Sequence, residues 1–218
     1  MLSQLRHRVA VIGAIALLAS VTPVLSSTPA GAVPQTALTA VSATDTASYS
    51  ACPTGSAPAS GFSDTTSTDV DCIAMHGITK GVTATTYEPD ASVPRWQMAL
   101  YLTRAATAAG VTLGSGADQG FTDISGESAE IQTAINQIKQ LGVTTGTTAT
   151  TFSPDDNVTR EQMAMFLNRF ASIAKDHAGS AIASTAPSTG VFNYTDLSSA
   201  TWEGVTSIVR LYNLGVTD

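Results

Sequence analysis

The chain is poor in charge, in aromatic residues and in cysteine. Charged residues make up 12% of its 218 positions and aromatic ones 6%, beside abundant Ala, Thr, Ser and Gly. That composition suits export and loop-rich surface modules better than a dense enzyme core. Cations are scarcer than anions: ten Lys and Arg stand against seventeen Asp and Glu, a formal net charge of -7. Those cations are dispersed along the sequence. The basic stripe that displaces counterions from phosphates is missing, and this excludes nucleic acid as a partner. A Gly-x-Ser-x-Gly elbow, a His-Glu-x-x-His pair and a Gly-x-x-x-x-Gly-Lys loop are also missing, so the expectation is no catalytic residue and no cofactor. Paired carboxylates for glycosidic cleavage stay open on sequence grounds, because their separation in space defines them.

Two cysteines, Cys52 and Cys72, stand twenty apart. In an exported protein the expected state is a disulfide. A metal pair lacks partners on sequence grounds, since His7, His76 and His177 are not near a second cluster of ligand types and zinc takes about four ligands. Export is indicated by residues 1–32: Arg6 and Arg8 give a positive start, Val9 to Leu25 is largely apolar, and Ala30-Gly31-Ala32 offers a small-x-small cleavage site. The alternative is a retained anchor, but the apolar core is short for a bilayer span of about 20 residues. No membrane span is expected after cleavage. The remainder keeps eight Lys and Arg against all seventeen acids, so an anionic ligand must be met by a local site.

Residues 33–60 are Ala/Thr/Ser/Pro-rich without periodicity and read as a flexible stalk. Beyond them a repeat organises the chain. The stretch Gly77 to Ala99 matches Gly142 to Ala164 without a gap, with 14 identities in 23 positions. Phe62-Ser63-Asp64, Phe121-Thr122-Asp123 and Tyr194-Thr195-Asp196 open three units. The resulting division is a first unit over 61–105, a linker over 106–120, a second unit over 121–170, a linker over 171–190 and a partial third unit over 191–218. Both linkers are Gly/Ala/Ser-rich and are expected to be mobile connections.

Each full unit parses as helix, loop, helix, a mainly α fold. Ile131, Ala134, Ile135, Ile138 and Leu141 share one helical face, as do Met163, Phe166, Leu167 and Phe170. Met98, Tyr101, Leu102 and Ala105 repeat the stripe in unit one, and Ile208, Leu211 and Leu214 repeat it in unit three. None of these helices buries its face unaided, so the units should pack on one another. Thr159-Arg160-Glu161-Gln162 has the form of a capping box. In unit one Pro94 takes the place of Thr159, which predicts Pro94 at the first helical position and Ser92 as cap. The first unit is also shorter before its glycine, so its first helix should be stunted, with the Cys52–Cys72 bond replacing the lost packing.

The aromatic-x-Asp opening, the helix ending in Gly-Ile/Val, the Gly-rich loop, aromatic-x-Pro-Asp and Val-Thr-Arg-Glu-Gln-Met-Ala together resemble the S-layer homology repeat. The resemblance covers about Gly61 to Asp218. It is nearest in unit two, looser at Pro94-Arg95-Trp96 and incomplete in unit three. It implies a secreted, non-enzymatic cell-surface protein whose repeats form a pseudo-threefold spindle. Grooves between its units would hold cell-wall polysaccharide, pyruvylated forms among them. The family's motif arginine, which contacts the anionic sugar, falls on Arg160 and Arg95.

The residues themselves leave alternatives. A cation in a helix's first turn opposes the macrodipole unless an anion compensates, which favours a carboxylate or phosphate ligand at Arg160 and Arg95. Equally, Arg160 could clasp Asp155 or Asp156, and Arg95 could clasp Asp90. Trp96 could stack on a sugar ring or pack against a neighbouring unit. Asp64 and Asp123 are candidate ligand residues whose default role is a cap or turn. A self-associating lattice or interaction module, or the targeting region of a wall enzyme, are the competing functional classes.

Overall fold

The computed structural model describes residue 52 and residues 57–174, 194–214 and 216–217. The segment expected as a signal, 1–32, most of the expected stalk and much of the expected second linker lie outside the described residues. Among the described residues five α-helices run in chain order: α1 Thr68–Met75, α2 Arg95–Ala108, α3 Ala129–Gln140, α4 Arg160–Ile173 and α5 Trp202–Asn213. A short 3-10 turn, Leu197–Ser199, precedes α5. Among the described residues extended pairing is limited to an antiparallel bridge between Pro94 and Asn157. No helix among them is long and apolar enough to cross a membrane.

The helix ends follow from the repeated glycines. Gly77 (φ 68°) and Gly142 (φ 73°) take the left-handed conformation. Their amides bond to Ala74 and Lys139 carbonyls, and the next residues, Ile78 and Val143, bond back to Ile73 and Ile138. That is the pattern in which a glycine just past the helix closes its orphan carbonyls. Helix α1 has 8 residues where α3 and α5 have 12, the stunting expected from the shorter first unit. Cys72 on α1 is joined to Cys52, with Cα atoms 5.7 Å apart, so the stalk end is tied to the short helix.

The core sits on unit two and reaches into both neighbours. Ile135, Ile138, Val143 and Phe152 are fully buried, in a cluster with Ala99 and Leu102 of α2, Phe166 and Phe170 of α4, Leu211 of α5 and Leu214 at its C-cap. Packing is between consecutive units: α2 lies on α3, and α4 lies on α5. The second helix of each unit thus covers the first helix of the next.

Two expectations are corrected. Helix α2 starts one residue later than predicted: Pro94 is its cap position, without a side-chain cap bond, and Ser92 does not serve. The first two amides of α2 are satisfied from unit two, Arg95 N–H by Asp156 O and Trp96 N–H by Pro154 O, both 2.9 Å. Backbone from the neighbouring unit replaces the side-chain cap that orphan amides otherwise need. The first linker is not a loose connection either. Gln137 Nε2 donates to Gly114 O (2.9 Å), Gly116 N–H to Gln140 Oε1 (3.0 Å) and Gln119 N–H to Asn136 Oδ1 (3.0 Å), which hold it along α3.

Candidate functional site

The loop before each second helix is anchored by its opening Asp. The Asp64 carboxylate accepts the N–H of Tyr87 (2.9 Å) and of Glu88 (2.7 Å). Asp123 does the same for Phe152 (2.9 Å) and Ser153 (2.7 Å). Glu88 (φ 59°) and Ser153 (φ 55°) are the two non-glycine residues in the left-handed region among those described, a conformation costing roughly 1–2 kcal/mol for a residue with a Cβ. Two amides converging on one carboxylate offset that strain. The same bonds pull the Asp64 pKa below its ordinary value. Asp64 and Asp123 are therefore placed as loop anchors. Their aromatic neighbours stack on the far end of the loop, Phe62 on Tyr87 and Phe121 on Phe152, with centroids 5.9 and 5.7 Å apart.

The two motif arginines have opposite surroundings. Arg95 is 3% exposed. Its Nε donates to Phe152 O at 2.7 Å, its Nη1 to Gln162 Oε1 at 3.3 Å, and its guanidinium lies 4.7 Å over the Phe152 ring and 5.3 Å over that of Phe166. All of these partners belong to unit two. Burial pushes the Arg95 pKa down from its usual range, opposed by the Asp156 and Asp123 charges. The clasp to Asp90 does not form. Arg160 is exposed at the start of α4, beside a complete capping box in which Gln162 N–H donates to Thr159 Oγ1 and Thr159 N–H to Gln162 Oε1. No ion pair from Arg160 to Asp155 or Asp156 occurs among the described residues. Trp96 is half-buried and packs against the inter-unit core. Glu161, its counterpart in unit two, instead accepts Thr201 N–H at 2.8 Å and Thr201 Oγ1–H at 2.6 Å, capping the helix of unit three.

A second repeated contact escaped the sequence reading. Arg104 of α2 pairs with Glu130 of α3 at 3.0 Å, and Arg169 of α4 pairs with Glu203 of α5 at 2.6 Å. The signal was present: the alignment of units one and two, continued past Ala99 and Ala164, sets Leu102-Thr103-Arg104 on Leu167-Asn168-Arg169, and Ser128-Ala129-Glu130 matches Thr201-Trp202-Glu203. Beside the first pair, a groove of about 420 Å³ opens between α2 and α3. Leu100 and Leu113 give it apolar walls, while Thr103, Thr107, Thr133 and Gln137 give it hydroxyl and amide groups. The groove is shallow and open, and it sets apolar surface beside a few polar groups.

His76 is not isolated. Its ring lies with Cys52 and Cys72, the possible ligand atoms all within 4.8 Å of one another. Folding brings the stalk end to α1, which residue spacing could not reveal. The two sulfurs are bonded to each other, so the thiolates a metal would require are not on offer.

Comparison with known proteins adds one match: the family model described as "S-layer homology domain" aligns with residues 120–164. No significant match is found among curated proteins.

Proposed function

Because the chain carries an S-layer homology domain over residues 120–164, a domain that binds cell-wall polysaccharide in surface proteins, we propose that it is a secreted, non-catalytic wall anchor. In this reading the polymer lies in the grooves between successive repeats, whose units are arranged as a pseudo-threefold spindle. The observation that carries it is the α2–α3 groove, one wall of which is the first helix of the matched domain. A sugar polymer presents hydroxyls along its edges and carbon on its faces, and the threonines, Gln137 and the leucines of the groove answer both.

Negative charge on the polymer would be met by arginine. Arg95 is unsuited, because its guanidinium is already buried against Phe152 and Gln162. Arg160 keeps its donors in solvent at a helix start, where macrodipole and guanidinium favour the same anion. Arg104 is held by a carboxylate that is 62% exposed; a polymer carboxylate can displace an exposed partner of this kind at small cost.

Co-sedimentation of the protein with cell-wall sacculi, before and after chemical stripping of the attached polysaccharide, tests the proposal. Binding that disappears on stripping and weakens in Arg160→Ala supports it. Equal recovery with intact and stripped sacculi, or with neither, overturns it.

A further inference from the structure

Helix α1 ends in a pair of metal-ligand residue types. Cys72 lies in its last turn and His76 is its C-cap, and the His76 N–H donates to the Cys72 carbonyl at 3.1 Å. That i to i+4 bond is one helical turn, so the thiol and imidazole positions share a face. The backbone thus sets two donors side by side before any tertiary contact forms. Cys52 arrives from the stalk end as the third. A sulfur from each cysteine and a ring nitrogen of His76 all lie within 4.8 Å of one another, and all three residues are partly exposed.

Two further features favour these three acting together. The Ser60 N–H donates to the Asp71 carboxylate at 2.8 Å, one residue before Cys72, so the chain bearing Cys52 is fastened to α1 independently of the disulfide. Cys52 stands eight residues ahead of Ser60, which keeps the two sulfurs at an effective concentration on the order of millimolar once their bond opens. Helix α1 also has room to adjust, because Val70 is its one buried residue. A tetrahedral zinc ion sits about 2.3 Å from sulfur and about 2.0 Å from nitrogen, so its ligand atoms stand roughly 3.5–3.8 Å apart. Side-chain rotation brings the three donor atoms to that spacing.

We infer that Cys52, Cys72 and His76 form a zinc site in the dithiol state of the protein, with water in the fourth position, and that zinc and the disulfide are alternative closures of the same loop. Opening the disulfide takes two electrons and two protons from a dithiol reductant, which is itself oxidised to a disulfide, and leaves two thiols. Zinc then binds two thiolates and the neutral imidazole, and two protons pass to solvent. Two thiolates and an imidazole suit zinc, and three protein ligands plus water complete its tetrahedron. Oxidation reverses the sequence: the S–S bond reforms, two electrons go to the oxidant and the metal leaves. In both states α1 and the stalk end stay joined. The site is separate from the α2–α3 groove, so zinc binding and polymer binding can fail independently.

The test starts from the full chain reduced with a phosphine, which becomes the phosphine oxide as water supplies its oxygen and the two protons, and then freed of reductant under argon. Cobalt(II) is added as an optical probe, followed by zinc(II) to displace it. The reduced wild type should bind one cobalt, with a sulfur-to-cobalt charge-transfer band and the visible bands of a tetrahedral site, and one equivalent of zinc should erase both. The disulfide form should show neither. His76→Ala and Cys72→Ser should each weaken zinc by more than about 100-fold, since even groups that only orient a ligand are worth about 10–100-fold. Zinc should also return the thermal midpoint of the reduced wild type toward that of the disulfide form, an effect absent in His76→Ala. Far-UV circular dichroism follows folding throughout, and helix content lost on reduction but regained with zinc supports the site as well. A reduced wild type without the charge-transfer band overturns the inference. So does His76→Ala that binds zinc as tightly as the wild type, which would make the metal a ligand of the cysteines alone. Equal zinc binding by the disulfide and reduced forms would place the metal elsewhere on the chain and overturn it too.

Discussion

Arg95 belongs to the first unit, yet its Nε bonds to the Phe152 carbonyl of the second at 2.7 Å. Around that bond, the Phe152 and Phe166 rings flank the guanidinium, and the backbone of Val93–Trp96 pairs with Pro154–Val158. Unit one is thereby latched onto unit two through its helix start. Removing the guanidinium leaves a buried carbonyl unpaired and a cavity between two rings.

Arg95→Ala should therefore lower unfolding free energy by about 2–4 kcal/mol, and Arg95→Lys should recover little because a lysine cannot stack as a plane. Arg160→Ala, at the aligned but exposed position, should change stability by no more than about 0.5 kcal/mol. Urea unfolding of the three variants checks the contrast. Equal losses at positions 95 and 160 would contradict the latch.

How much of this was legible beforehand depends on the range of the interaction. The capping box at Thr159 and Gln162, the glycine stops at Gly77 and Gly142, and the stunted α1 are local, and the sequence pattern carries them directly. The apolar stripes point to units packing on one another, which α2 on α3 and α4 on α5 bear out. The Asp90 alternative for Arg95 fails because its partners, Phe152 and Gln162, lie in the next unit, across a gap that helix periodicity does not encode. The Arg104–Glu130 and Arg169–Glu203 pairs were recorded in the repeat but only beyond its most similar stretch. His76 beside the disulfide depends on where the stalk returns, and no local pattern sets that.

Asp64 gives the fold an acid-sensitive element. Its folded pKa lies below the ordinary value of 3.8, first because of the Tyr87 amide and then because of that of Glu88. A depressed folded pKa contributes stability that is present above the unfolded pKa and is lost as pH falls through the folded one. Thermal unfolding of the wild type should therefore fall more steeply than that of Asp64→Asn between about pH 4 and pH 2. Parallel acid limbs would mean the carboxylate does not hold the loop.

Gly146 is required for two separate reasons. Its φ is 92°, and a Cβ there would stand 2.5 Å from the carbonyls of Thr148 and Thr151 and 2.7 Å from the Phe121 ring. Backbone cannot move aside as a flexible side chain can. Gly146→Ala should cost about 2 kcal/mol or more, read as a lowered urea midpoint with an unchanged slope. A midpoint at the wild-type value would show that the loop has another conformation available.

The disulfide should matter more here than in a chain with a full first helix. Cys52 and Cys72 close a loop with a sequence separation of 20, worth roughly 3 kcal/mol through restriction of the unfolded chain. Cys72→Ser should lower the thermal midpoint while leaving polymer co-sedimentation at low temperature intact, since the α2–α3 groove does not include α1. A midpoint equal to the wild type's would show that α1 is held without the bond.

The Arg104–Glu130 pair separates stability from binding. Glu130 is 62% exposed and Arg104 20%, so their mutual attraction is screened by solvent and should contribute no more than about 1 kcal/mol. Glu130→Gln should unfold within that margin of the wild type, yet it frees the Arg104 guanidinium at the groove between α2 and α3. If a polymer carboxylate competes with Glu130 for Arg104, Glu130→Gln should bind sacculi more tightly and Arg104→Gln more weakly, with both differences shrinking as salt rises. Identical binding by the two variants would place the polymer's charge elsewhere than at Arg104.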